Sequence, residues 1–74
     1  MKTILKTINP VTLSFAEAIL KDAGIESFVL DRHASMVDGS IGAVPRRLVV
    51  IDSDRDAAIR ALELAGLSDE VFRG

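Results

Sequence analysis

Apolar and polar positions follow three rhythms along this chain, and each change of rhythm marks a new element. Lys2 to Ile8 is rich in Thr and Ile; two-residue alternation puts Ile4 and Ile8 on one face with Lys6 between them, which predicts a first strand. Asn9-Pro10 ends it, because Asn is a favoured helix N-cap and Pro suits a first helical position, where an N–H would be unpaired anyway. From Pro10 to Ala23 the rhythm turns helical: Phe15, Ala16, Ile19, Leu20 and Ala23 form one stripe, and Ser14, Glu17 and Lys21 lie opposite. Gly24 stands where a left-handed stop is needed, and Glu17–Lys21 has the spacing of a favourable i,i+4 charge pair.

Ile25 to Asp31 predicts a second strand with apolar residues on both faces, Phe28 and Leu30 on one, Ile25 and Val29 on the other. Arg46 to Asp52 predicts a third. Its continuous Leu48-Val49-Val50-Ile51 run suits a central strand covered on both sides, and Pro45 fits the start, where no ladder N–H is required. Between them lies the connector 32–44, with a turn of helix expected around Ala34–Val37. Ser53 is expected to cap a second helix with Asp54 and Asp56 in its first turn. That helix has Ala58, Ala61, Leu62 and Ala65 as its buried stripe, Asp56–Arg60 as its exposed pair and Gly66 as its stop.

The order β-α-β-β-α predicts an α+β fold: a two-layer ferredoxin-like sandwich lacking the last strand, with residues 1–67 as one domain and 68–74 as a tail. A right-handed crossover from the first strand to the second leaves a gap that the third fills antiparallel, giving the sheet order 1-3-2 with both helices on one face. The first strand is then expected to have a bare outer edge, and the open sheet face to expose apolar residues. A homo-oligomer formed through that face or that edge follows as an expectation.

Composition narrows the alternatives. A chain of 74 residues builds one small domain, whose core supplies roughly 3–5 kcal/mol. Zero Cys excludes disulfides and thiolate metal sites, and a single His argues against a structural zinc, so no cofactor is expected and association gains weight. A net charge of -2 lacks the basic excess of nucleic-acid domains, and three Phe without Tyr or Trp leave little for stacking bases. The N-terminal segment lacks the apolar run of about 7–15 residues of a signal peptide, and no stretch approaches transmembrane length. Neither nucleic acid nor membrane is an expected partner, and a cytoplasmic location is expected.

Candidate chemistry concentrates in Asp38-Gly39-Ser40-Ile41-Gly42-Ala43-Val44-Pro45-Arg46-Arg47-Leu48. Gly39, Ser40 and Gly42 suit a nest of backbone N–H groups around an anion, and Arg46 and Arg47 carry forks that match phosphate or carboxylate. Strand alternation, however, sends adjacent arginines to opposite faces. The competing reading is a tight turn with the arginines bordering a subunit interface. The P-loop ending in Gly-Lys-Ser/Thr is absent. His33, with Asp31 and Asp38 nearby, suggests an acid–base centre as an alternative, although one His and two acids also fit a surface loop. Asp52-Ser53-Asp54-Arg55-Asp56 lacks the calcium-loop pattern and is explained by helix capping. Ser14, Ser27, Ser35 and Ser40 have no nucleophile-elbow context, and Phe15 and Phe28 are expected in the core. No catalytic or metal residue is assigned.

Four strings carry a family likeness: Asn9-Pro10-Val11, Ala23-Gly24-Ile25-Glu26, the Gly39-to-Leu48 string and Ala65-Gly66-Leu67. Over most of residues 2 to 67 the chain resembles small prokaryotic signal-transducing proteins classed as a domain of unknown function. The resemblance implies a fold related to the nitrogen-regulatory PII proteins, which are ferredoxin-like and trimeric, with 32–45 in the place of their signalling loop. The chain is shorter than a PII subunit and shows no nucleotide-binding set, so ATP binding is not implied. The expected function is a non-catalytic regulatory module that presents 32–47 to a protein partner or small anionic ligand. Its candidate residues are His33, Asp38, Gly39, Ser40, Gly42, Pro45, Arg46 and Arg47. The alternatives are a small acid–base enzyme centred on His33 and a purely structural oligomer whose Arg46 and Arg47 pair with acids across the interface.

Overall fold

Asn9 starts the first helix as its side chain dictates. Its backbone is extended (φ -93°, ψ 111°), and its Oδ1 accepts from the N–H groups of Val11 at 2.9 Å and Thr12 at 3.4 Å. The computed structural model describes residues 1–31 and 45–72. They form β1 (Lys2–Thr7), α1 (Pro10–Asp22), β2 (Phe28–Asp31), β3 (Arg46–Val50) and α2 (Arg55–Leu64), with 3-10 turns at Asp52–Asp54 and Ser68–Glu70. The sheet order is β1-β3-β2, with β3 antiparallel to both neighbours. This is the α+β ferredoxin-like layout, with both helices packed on one face of the sheet.

Both helices end in the same device. Gly24 (φ +77°) lets its N–H reach the Lys21 carbonyl at 3.0 Å while the Ile25 N–H reaches Leu20 at 2.9 Å. Gly66 (φ +89°) repeats this with Glu63 at 3.0 Å and Leu67 to Leu62 at 2.9 Å. Ile25 and Leu67 then pack against the core beside the buried Leu20 and Leu62. This explains why β2 is shorter than the expected 25–31 strand: the N–H of Ile25 belongs to the helix cap, and pairing with β3 begins at Phe28.

The core joins Ile4, Leu5, Leu48 and Val50 of the sheet to Leu13, Ala16 and Leu20 of α1 and to Ala58, Ile59 and Leu62 of α2. Two of these depend on an irregularity. In β1, Thr3 pairs with Val49 but Leu5 pairs with Leu48, so Ile4 is an extra residue in a β-bulge. The bulge buries Ile4 and Leu5 together, whereas regular alternation would send them to opposite faces. It also separates Ile4 from Lys6, correcting the expectation that they share a face. Ile8 lies beyond the strand and is exposed.

Other expectations shift by part of a turn. On α1 the buried stripe is Leu13, Ala16 and Leu20, with Ile19 half-buried; Phe15 is 49% exposed and Ala23 is exposed. Leu13 lies three residues before Ala16 and seven before Leu20, the spacing of one helix face, and Phe15 lies off that face. Ser53 does not cap α2. Residues 52–54 form the 3-10 turn instead, with the Asp54 N–H bonded to the Ile51 carbonyl at 2.9 Å, and Asp54 stands at the N-cap without a side-chain cap bond. Ile59 completes the stripe on α2, and Asp56 meets Arg55 at 3.3 Å instead of Arg60. β3 ends at Val50, leaving Ile51 exposed. The outer edge of β1 is not wholly bare: Leu5 bridges Val71, and the Phe72 N–H donates to the Ile4 carbonyl at 2.8 Å.

The reassigned α1 face makes a direct test. Leu13→Ala is expected to cost about 2–5 kcal/mol, most of the stability of so small a core. Phe15→Ala is expected to cost about 1 kcal/mol or less. Urea midpoints of the two variants measure this, and a larger loss at Phe15 would contradict the observed packing.

Candidate functional site

Alternation along β3 sorts its side chains. Leu48 and Val50 belong to the helix-side core, so Arg46 shares their side and Arg47 and Val49 look the other way. Arg46 and Arg47 therefore diverge, although both are exposed, as is Pro45. They do not form one clamp. His33, Asp38, Gly39, Ser40 and Gly42 lie outside the described residues, as does the helical turn expected at Ala34–Val37. The backbone at Asp31, where β2 ends, pairs in register with Arg46, so the two ends of the connector meet at one end of the sheet.

The strand register builds the open face position by position. Val49 lies between Thr3 and Phe28, and Arg47 lies between Lys6 and Leu30. Phe28 is 37% and Leu30 41% exposed, whereas Val49 is only 3% exposed under its neighbours. Phe28 is thus a surface residue of the open face and not the core residue expected. Beside β1, the Phe72 ring lies 5.4 Å from the Lys6 ammonium, a cation–π contact. None of the open-face strand positions carries a carboxylate. Two cations thus stand directly opposite each other on neighbouring strands, an arrangement that destabilises a sheet.

Lys6 is the residue that sequence reasoning passed over. The available signal was the Ile4-Leu5 pair: a strand can turn two adjacent apolar side chains toward the same helix layer only through a bulge, and a bulge turns Lys6 toward Arg47. Among the described residues, two open depressions mark the surface elsewhere. One depression runs along α2 past Arg55, Ile59 and Glu63, and another lies where α1 hands over to β2, between Lys21 and Ser27. Among the described residues no group of three or more His, Asp or Glu side chains is placed to hold a metal ion. No helix among them is long and apolar enough to cross a membrane.

The fold and this surface define a small ferredoxin-like α+β module with one covered and one open sheet face. The sequence model of a family described as "Putative prokaryotic signal transducing protein" matches residues 1–66, and the chain belongs to that family. No curated protein matches the chain.

The acidic start of α2 has a different task from the sheet face. The Met1 ammonium bonds to the Asp52 carboxylate at 2.8 Å and holds that carboxyl below its ordinary pKa of 3.8, chiefly by hydrogen bonding and then by charge. A lowered folded-state pKa means that the pair supports the fold above the ordinary carboxylate range and loses that support as the pH falls through the folded value. In a carbon-detected NMR titration Asp52 should titrate below 3.8 and move back toward it in about 1 M salt, where screening is short-ranged. A midpoint at the ordinary value would show that the pair does not form in solution.

Proposed function

We propose that this protein is a non-catalytic regulatory module of signal transduction that presents residues 32–47 to a protein partner or small anionic ligand. One observation carries the proposal. Pairing of Asp31 with Arg46 brings both ends of the connector to one end of the sheet, beside two exposed arginines of different outlook. The family description supports a signalling role. Guanidinium forks recognise carboxylates and phosphates of either a protein or a small molecule. The glycines of the connector suit close backbone approach to such a group.

Replacing Arg46 and Arg47 together by Ala tests the proposal, since neither belongs to the buried core. The variant is expected to keep its circular dichroism spectrum and to lose about tenfold or more in affinity, roughly 1.4 kcal/mol. Phosphate, citrate and ATP are the small-anion probes, read by amide shifts; a partner is read by capture on immobilised protein. Unchanged binding would remove the arginines from the function, and an unfolded variant would assign them a structural role.

A further inference from the structure

We infer that the open sheet face is a docking surface for an acidic, apolar-bearing segment of a partner protein, centred on the Lys6–Arg47 pair. It builds on the interaction-module reading and shares only Arg47 with the connector surface. The first observation is the pairing itself. Lys6 and Arg47 are opposite each other in the β1–β3 register, with Cβ atoms about 4.5–5.5 Å apart in such a pair. Among the described residues, no strand position on the open face carries a carboxylate to neutralise them, although the chain as a whole has 11 acidic residues against 9 basic ones. A local conflict of this kind that a single substitution would relieve is the mark of a site kept for binding.

The second observation is the apolar frame. Phe28, Leu30 and Phe72 are each more than a third exposed around the two cations, and Phe72 is held by its own N–H and by its contact with Lys6. A partner that supplies carboxylates alone would leave these side chains in water, and one that supplies only apolar side chains would desolvate two cations that have no carboxylate among the described open-face strand positions. A segment bearing both fits. Charge argues against the occupant expected from sequence. A second copy laid face to face would bring four cations into one apolar contact with no carboxylate from either open face. A nucleic acid meets the cations, but the molecule as a whole is acidic.

The test uses the full chain labelled with 15N and two synthetic 16-residue amphipathic peptides. Both have the same Leu and Phe positions, and their polar positions are all Glu in one and all Lys in the other. The Glu peptide is expected to shift the amides of Thr3, Lys6, Phe28, Leu30, Arg47 and Val49 saturably, and the Lys peptide is not. Lys6→Glu and Arg47→Glu should each weaken the Glu peptide at least tenfold while melting no lower than the parent protein. Lys6→Gln keeps the test open should charge reversal disturb folding. Arg46→Glu, on the other side of β3, should change the peptide affinity less than twofold, so the connector reading and this one fail separately. The inference is overturned by equal binding of both peptides, by no saturable shift, or by tighter binding of a thymidine 16-mer to the same residues. Broadening of these amides that grows with protein concentration alone would overturn it in favour of self-association.

Discussion

The structure depends on one extra residue in its first strand. β1 needs to bury both Ile4 and Leu5 under a single layer of two helices, and an alternating strand cannot do this. The bulge between Thr3 and Leu5 resolves the conflict by setting two residues of β1 against one stretch of β3. Everything downstream of the bulge is displaced by one position. Leu5 comes to lie opposite Leu48 in the core, and Lys6 opposite Arg47 on the open face. Core and surface are therefore consequences of the same irregularity.

The two faces of the sheet then follow different rules. On the covered side, Leu48 and Val50 belong to one core with side chains of both helices, and each helix ends in a glycine-based cap that returns an apolar residue to that core. On the open side, apolar side chains stay partly in water and like charges stand side by side. Local propensity, caps and packing agree on the covered side, while the open side keeps a conflict that folding alone does not require. For a family described by signal transduction, a stable layer carrying a frustrated one is a coherent division of labour.

Much of this was legible in the sequence. Asn9-Pro10, Gly24 and Gly66 gave the helix ends because each residue acts through local chemistry that tertiary contacts do not alter. The continuous Leu48-Val49-Val50 run gave the central strand because a strand with neighbours on both edges is shielded on both faces. The misses were tertiary. Phe15 looks like a core residue by hydrophobicity, yet the helix presents Leu13 instead. Ser53 looks like a cap, but the chain leaves β3 through a 3-10 turn that moves the N-cap to Asp54 and the helix start to Arg55. Lys6 falls on the face of Ile4 and Ile8 in period-two counting, which contains no bulge. The pairing of Val71 with Leu5 could not be read from a short apolar pair without strand rhythm. Of the eight candidate residues, Pro45, Arg46 and Arg47 fall within the described structure, where strand alternation separates the arginines as expected.

Cross-strand nuclear Overhauser contacts report whether the bulge sets Lys6 beside Arg47. The bulged register is expected to give backbone contacts pairing Thr3 with Val49, Leu5 with Leu48 and Lys6 with Arg47, with Ile4 lacking an opposite residue of its own. Contacts pairing Ile4 with Leu48 and Leu5 with Arg47 would contradict it, because an unbulged strand would place Lys6 and Arg47 out of register.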